Sequence, residues 1–313
     1  MSTPPPRSSR VKVRMGDRIF SASTLIAGSI ILVVLAAVAI FLIGQSIPAL
    51  VAKPGTMPRD ASNFWVYVGP LVFGTIWAAA LALIIAVPIS IGVALFISHY
   101  APRRLARALG YIIDLLAAVP SVVFGLWGIG VLAPLLQPFY KWLNTNLGWF
   151  PLFGGVVSGT GRTILTVAIV LAVMVLPIMT AVMREVFMQT PRLHEEAALA
   201  LGATRWEMIR MTVLPFGRPG VISAAMLGLG RALGETLAVA MVLSPAAVVS
   251  FFLLTTQNPN TIAGNIALQF PEATGLSVNA LIASGLVLFV ITFAVNAIAR
   301  VAVNRRRAFS GAN

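Results

Sequence analysis

The sequence contains no cysteine and only two histidines, His99 and His194, among its 313 residues. Disulfides and thiolate metal ligands are therefore unavailable, and a histidine-based metal site or catalytic triad has little to draw on. We predict no catalytic residues and no metal site. Charged residues are also scarce, at 10%, against roughly 25% in a soluble globular protein. Because 58% of the residues are hydrophobic, most of the chain is expected to avoid water.

Lysine is almost as rare as histidine. The three lysines are Lys12, Lys53 and Lys141, and none of them follows a glycine. A phosphate-binding P-loop needs Gly-Lys-Ser or Gly-Lys-Thr. The chain therefore cannot bind ATP by that route, and any ATPase that energises it would be a separate polypeptide carrying the ATP and Mg. We predict no cofactor on this chain.

The formal net charge is +13, which in a soluble domain would indicate nucleic-acid binding. In a membrane protein, basic residues accumulate in cytoplasmic loops. The low content of charged residues favours this second interpretation. We predict membrane lipid, and no nucleic acid, as a partner.

Six stretches are long and apolar enough to cross a membrane, which requires roughly 20 residues of helix. We predict transmembrane helices over about 22–45, 67–98, 107–136, 162–188, 219–244 and 276–300. The first stretch could instead be a secretory signal, but its apolar run exceeds the 7–15 residues typical of a signal, which favours an uncleaved helix. Asp114, near the cytoplasmic start of the third helix, is expected to reach the interface or to meet Arg103, Arg104 or Arg107.

The distribution of lysine and arginine predicts the orientation. With the N-terminus in the cytoplasm, the inner segments carry 17 of these residues and the outer ones carry 4, while Arg231 remains in the membrane. We predict an all-α, multi-pass protein of the cell (inner) membrane with both termini cytoplasmic. Its transmembrane domain spans 19–303, between a disordered basic segment 1–18 and a basic tail 304–313.

The inner loop 189–218 shows strong local helix signals. Thr190-Pro191 supplies an N-cap followed by proline at the first helical position. Good helix formers occupy 192–201, and Gly202 is placed to end the helix in the left-handed conformation. A first short helix is therefore expected here.

A second short helix is predicted directly after this turn. Thr204 and Glu207 match a capping box, and the helix is expected to run to Leu214 and to end at Pro215. Two short helices joined by a tight turn suit a DNA-binding helix-turn-helix, a simple connector or a docking element. The position between two membrane spans argues against DNA binding.

Within this loop the sequence resembles the EAA signature of ABC importer permeases. The matching residues are Glu196-Ala197-Ala198, Gly202 and Leu214-Pro215, with Thr212 where the signature has isoleucine. The resemblance implies a type I permease architecture and a coupling helix that docks into an ATP-binding subunit dimer. It further implies that Glu196 makes a polar contact at that interface, that the two small alanines allow close approach, and that Gly202 supplies the turn.

The fifth predicted helix carries two charged residues, Arg231 and Glu235, in mid-membrane. An intramembrane arginine costs roughly 2.5–3.5 kcal/mol on insertion scales, so such a residue is functional by default. Their spacing of four predicts that they share a helix face and pair. Two interpretations stay open: an ion pair that only fixes helix packing, or a substrate contact.

The same stretch resembles phosphate-specific permeases of the PstC type. The resemblance rests on Gly228–Thr236 (GLGRALGET), Pro120–Gly125 (PSVVFG) and Ala267–Ala273 (ALQFPEA), within a similarity covering about 20–305. It implies ATP-driven import of inorganic phosphate by alternating access. It also implies three kinds of partner: a second permease of the PstA type, an ATP-binding dimer and an extracytoplasmic phosphate-binding protein.

The substrate-binding residues expected from this resemblance are Arg231, Glu235 and Thr236. An arginine fork binds phosphate oxygens bidentately. Glu235 would either hold the guanidinium in place, accept a proton or exclude fully ionised competitors, and the sequence does not choose among these. At the outer mouth of the fourth helix, 158–161 with Arg162 would form either an anion-attracting nest or, the preferred interpretation, a plain turn.

Two alternatives to phosphate import remain at this stage. The chain could be an ABC permease for another oxyanion, such as molybdate, tungstate or sulfate. It could instead be an ion-coupled secondary transporter, which the EAA-like loop disfavours. No internal repeat of the kind common in secondary transporters is evident.

Overall fold

The computed structural model describes the backbone of residues 15–307 and the side chains of residues 15–59 and 61–301. The helices are α1 (Met15–Leu50), α2 (Phe64–Leu95), α3 (Arg103–Ala117), α4 (Ser121–Trp127), α5 (Ala133–Leu147), α6 (Ile164–Met188), α7 (Arg192–Ala200), α8 (Arg205–Met208), α9 (Leu214–Leu233), α10 (Leu237–Val242), α11 (Ile262–Gln269) and α12 (Leu276–Arg307). Strands β1 (Pro245–Ala246) and β2 (Asn258–Pro259) form a parallel pair.

Short π-helical and 3₁₀ turns connect several of these helices. The π-helical turns are Phe96–Tyr100 after α2, Gly128–Leu132 between α4 and α5, and Ile209–Val213 between α8 and α9. The 3₁₀ turns are Pro58–Asp60 and Phe270–Glu272. Three long helical segments are therefore continuous across a change of hydrogen-bond register.

Within the part of the chain that the structure describes, six helical segments are long and apolar enough to cross a membrane, as predicted. They are Met15–Leu50, Phe64–Tyr100, Ser121–Leu147, Ile164–Met188, Arg205–Leu233 and Leu276–Val301. The described range begins inside the segment 1–18 that we expected to be disordered, and residues 15–18 form the first turn of α1. The basic tail from 304 continues α12 to Arg307, and the remainder lies outside the described residues.

The third span differs from the prediction of one helix over 107–136. The chain leaves helical geometry after Ala117, and α4 begins at Ser121 behind Pro120. Proline disfavours helical geometry in the residue before it, so the break falls there. The amphipathic helix α3 is left outside the set of spans, and the span itself runs to Leu147.

The fifth span is also displaced, because Pro215 does not end the second short helix. The π-helical turn Ile209–Val213 precedes it, and Pro215 stands in the first turn of α9, where a missing N–H is tolerated. The predicted helix over 219–244 instead ends at Leu233. The break therefore falls inside the segment that carries Arg231 and Glu235.

Helix α6 lies at the centre of the packing and contacts α2, α3 and α9. Its side chains Val175, Met179 and Met183 are fully buried. Helix α1 pairs with α12, and its other faces expose long runs of leucine, isoleucine and valine. Such a surface suits lipid rather than water, since apolar groups need no partner in a hydrocarbon environment.

Candidate functional site

The break between α9 and α10 is the irregular feature around which the site is built. Gly234 follows the last residue of α9, and its N–H donates to the carbonyl of Gly230 at 3.3 Å. Glycine has a low helix propensity, which favours an end at this point. The next helix, α10, starts three residues later at Leu237.

Glu235 lies inside this break and caps the following helix. Its side chain is 8% exposed, and Oε1 accepts a hydrogen bond from the backbone N–H of Ala238 at 3.1 Å. This satisfies one of the free amide groups at the N-terminus of α10. The neighbouring Thr236 hydroxyl donates to the carbonyl of Gly234 at 3.2 Å.

The predicted pairing of Arg231 with Glu235 is wrong. Within the described residues, the sole contact under 4.0 Å between a carboxylate and a basic side chain joins Glu195 to His99. Because α9 ends at Leu233, the spacing of four no longer places the two side chains on one helix face. The carboxylate turns to the backbone of α10, and the guanidinium is left without it.

The opposite end of α10 is held by Arg162. Its Nη2 donates to the carbonyls of Met241 and Leu243 at 3.1 Å each, and its Nε donates to Val242 at 3.3 Å. A carboxylate at the N-terminus and a guanidinium at the C-terminus both match the helix dipole. Since its donors point to these carbonyls, the turn interpretation of 158–161 is supported over the anion nest.

Helix α4 and the π-helical turn that follows it pack closely against α10, each through one glycine. A Cβ on Gly125 would lie 3.1 Å from Cα of Ala238, and one on Gly128 would lie 2.8 Å from Cγ2 of Val242. The contacts advance in the same direction along both helices, so α4 and α10 run parallel. The segment Pro120–Gly125 therefore supports the broken helix directly.

Arg231 lines a groove of about 930 Å³ between α6, α9 and α12. Ser223, Asn296 and Arg300 supply its other polar side chains, and no carboxylate is among its lining residues. Nε of Arg231 is buried and has no hydrogen-bond partner among the described residues. Glu235 and Thr236, the other two predicted substrate residues, are not among the residues that line this groove.

The predicted turn after α7 is confirmed. Gly202 has φ +87°, its N–H donates to Leu199 at 3.0 Å, and the N–H of Ala203 donates to Ala198 at 3.2 Å. This pair of bonds is a Schellman motif. The predicted capping box of Thr204 and Glu207 is also present.

Helix α7 lies on the surface and has no buried residue. Glu196 and Ala197 are exposed, while Ala198 is half-buried against the core. The apolar side chain of Leu201 is 90% exposed at its C-terminal end. A polar and apolar surface of this kind is typical of a docking site.

The other two residues of the signature lie where the chain turns into the span. Leu214 is half-buried and packs against the core, and Pro215 is exposed. The signature residues thus lie along consecutive elements of the chain, from α7 and the turn after it to the start of α9. Their contact with an ATPase remains a prediction.

A contact that the sequence analysis did not predict joins α7 to the end of α2. Nε2 of His99 lies 3.4 Å from Oε1 of Glu195, and Nδ1 of His99 lies 2.7 Å from the hydroxyl of Ser98. This contact links residues 96 positions apart in the chain. No local pattern in the sequence predicts a contact between residues so far apart.

Comparison with known proteins agrees with this architecture. Residues 86–308 match the family described as "Binding-protein-dependent transport system inner membrane component". A solved bacterial ABC transporter that imports the acidic polysaccharide alginate shares the fold, with a TM-score of 0.58 and 17% identity over 92% of this chain and 99% of that chain. The chain is therefore a multi-pass permease component of an ABC importer complex.

Full-length relatives specify the family further. "Phosphate transport system permease protein PstC 2" of Mycobacterium tuberculosis is 48% identical over 297 residues, which cover 92% of this chain and 91% of that protein. The PstC protein of Mesorhizobium japonicum is 41% identical over 308 residues, covering 95% and 92%. This chain belongs to the PstC family of phosphate transport system permease proteins.

Proposed function

We propose that this chain is the membrane subunit through which an ATP-driven importer carries inorganic phosphate into the cell. The observation that carries the proposal is Arg231, whose Nε is buried without a partner in a groove that contains no carboxylate. Phosphate at neutral pH carries negative charge and accepts hydrogen bonds at several oxygens. The membership in the PstC family supports the same substrate.

The capping role of Glu235 leaves Arg231 available to the substrate. An arginine paired with a carboxylate would be neutralised and would bind an anion weakly. Here the carboxylate holds α10 instead, so the positive charge is not compensated within the described residues. In a low-dielectric groove, this charge attracts an anion more strongly than it would in water.

We propose that α7 docks into an ATP-binding subunit and that its movement reaches Arg231. The route is continuous, because α8, the turn Ile209–Val213 and α9 form one helical segment that ends two residues beyond Arg231. ATP binding on the partner dimer would move α7 and tilt this segment, which reorients the groove. A second permease of the PstA type and an extracytoplasmic phosphate-binding protein complete the proposed complex.

We propose that the protein lies in the inner membrane of the cell. In the proposed orientation, α7 and both chain termini face the cytoplasm. The excess of lysine and arginine in the inner segments supports it, with 17 against 4. The exposed face of α7 then meets the side of the membrane where ATP is available.

Substrate choice is tested with the complete complex in proteoliposomes. We expect ATP-driven uptake of labelled phosphate. Unlabelled phosphate, molybdate, tungstate and sulfate are each added in excess as competitors in parallel measurements. Phosphate should compete at the lowest concentration. Stronger competition by one of the other oxyanions would reassign the substrate, and uptake without ATP or the ATPase subunit would indicate a secondary transporter.

A further inference from the structure

A second basic cavity lies between the end of α2, helix α3 and the C-terminal end of α6. Its volume is about 570 Å³, and its charged lining consists of Arg103, Arg107, Arg184, Arg192 and Asp114. Four arginines face one carboxylate, so the cavity carries a net positive charge. It adjoins α7, because Arg192 is the first residue of that helix.

The helical spacing of α3 concentrates charge on one side. Arg103, Arg107 and Asp114 are separated by four and seven residues, which places them on the same helix face. Asp114 was expected to reach the interface or to pair with a nearby arginine, yet it forms no ion pair under 4.0 Å with any described residue. The positive charge of the cavity is therefore not neutralised internally.

Arg184 reaches this cavity from α6 across a glycine. Gly110 of α3 leaves the space in which the guanidinium lies, since a Cβ at that position would clash with Nη1 of Arg184. Nε of Arg184 is buried without a hydrogen-bond partner among the described residues. A buried guanidinium donor in this state needs an acceptor, because leaving it unpaired is costly.

We infer that this cavity binds a phosphate group, and that the group is the headgroup of an anionic phospholipid. A phosphate diester supplies one negative charge and two unesterified acceptor oxygens, to which guanidinium groups can donate. Basic pockets beside membrane helices at the cytoplasmic face are a known form of lipid recognition. Free inorganic phosphate shares this chemistry but not the preference for a membrane-facing position.

The exposed surface of α3 favours the lipid. Tyr111 and Leu115 are 66% and 71% exposed on this helix, which is too short and too charged to be counted among the spans. A helix with apolar side chains outward and arginines at its start lies in the interface plane. Acyl chains can then cover the apolar residues while the headgroup enters the cavity.

Binding here would stabilise the coupling region. Arg192 begins α7, and Arg184 lies one turn before the end of α6. A headgroup bridging the two would fix the start of α7 relative to the span that precedes it. We therefore expect the anionic lipid to raise the efficiency with which ATP hydrolysis drives transport.

The test compares phosphatidylglycerol binding by the purified complex in three forms. These are the wild type, the double variant Arg103→Gln/Arg107→Gln and the control Arg104→Gln. Arg104 is exposed on the same helix but does not line the cavity. Each form of the complex is first delipidated, and phosphatidylglycerol is then titrated back. Native mass spectrometry counts the phosphatidylglycerol molecules bound at each lipid concentration. The double variant should bind it at least about tenfold more weakly, and the control should match the wild type.

Free phosphate is distinguished by competition in the same assay. Inorganic phosphate at millimolar concentration should leave the bound phosphatidylglycerol in place. Its displacement by inorganic phosphate would overturn the lipid assignment in favour of a free anion. Equal lipid binding in all three forms, or an equal loss in the Arg104→Gln control, would overturn the site itself. The variant Arg192→Gln, on the surface helix α7, repeats the measurement without altering α3.

Discussion

Glu235 accepts a hydrogen bond from the backbone N–H of Ala238 at 3.1 Å, although Arg231 stands four residues before it. The carboxylate therefore organises the N-terminus of α10 and does not neutralise the arginine. The end of α9 at Leu233 separates the two side chains, so that α10 is capped and the guanidinium has no carboxylate within 4.0 Å among the described residues. The arrangement resembles the discontinuous membrane helices by which transporters build substrate sites.

Glutamine at position 235 should preserve much of the function. In Glu235→Gln the side-chain carbonyl can still accept the N–H of Ala238, whereas Glu235→Ala leaves that amide without its cap, which costs about 1 kcal/mol. We expect the alanine variant to melt at a lower temperature and to transport less than the glutamine variant. Phosphate uptake and thermal unfolding of the purified complex measure both effects. Complete loss of uptake in a stable Glu235→Gln complex would favour a proton-accepting role instead.

Arg162 should prove a structural residue at the C-terminal end of α10. Arg162→Gln removes three hydrogen bonds to carbonyl oxygens, and a bond involving a charged group contributes about 1.5–3 kcal/mol. We expect a lower melting temperature for the variant complex, with the phosphate concentration at half-maximal uptake little changed. A raised half-maximal concentration at unchanged stability would instead show that Arg162 contacts the substrate.

Gly202 should be sensitive to any side chain that disfavours the left-handed conformation. At φ +87°, alanine costs about 1–2 kcal/mol, while asparagine adopts this conformation more readily. Gly202→Ala should reduce phosphate-dependent ATP hydrolysis more than Gly202→Asn does. Equal coupling in both variants would mean that the turn after α7 does not position the docking surface.

Glu196 and Glu195 should respond differently to loss of charge. Glu196 is exposed and available to a partner, whereas Glu195 contacts His99 at 3.4 Å within the chain. Glu196→Gln should weaken co-purification of the ATP-binding subunit. Glu195→Gln and His99→Gln should leave assembly intact and lower the transport rate per ATP hydrolysed, with a modest effect because a partly exposed pair contributes about 0.2–1 kcal/mol. A double variant no worse than either single one would confirm that the two residues act as a pair.

The sequence was sufficient to predict those features that depend on neighbouring residues. Long apolar stretches predicted six spans, and the turn at Gly202 with the capping box at Thr204 followed from local helix-ending and helix-starting preferences. The groove between α6, α9 and α12 was not predictable, because its walls come from three helices that are not neighbours in the sequence. For the same reason the contact of Arg162 with the end of α10 was missed.

Two errors arose where competing local signals were nearly balanced. Glu235 had two possible partners: the side chain of Arg231, four residues before it, and the backbone N–H of Ala238, three residues after it. Because the helix ends at Leu233, the carboxylate contacts Ala238. The predicted third helix over 107–136 ran through Pro120, whereas Pro215 was expected to end a helix. Of these two prolines, only Pro120 lies at a helix break. The π-helical turn Ile209–Val213 runs directly into α9, so the helical segment continues through Pro215.

The most direct test of the whole account is ATP-driven uptake of labelled phosphate by proteoliposomes that contain the complete complex with either arginine or glutamine at position 231. The control is Arg104→Gln, which removes an exposed arginine that lines neither cavity. We predict that Arg231→Gln assembles with its partners and still hydrolyses ATP but transports phosphate at least about tenfold more slowly, whereas Arg104→Gln equals the wild type. Uptake at the wild-type rate by an intact Arg231→Gln complex would contradict the account.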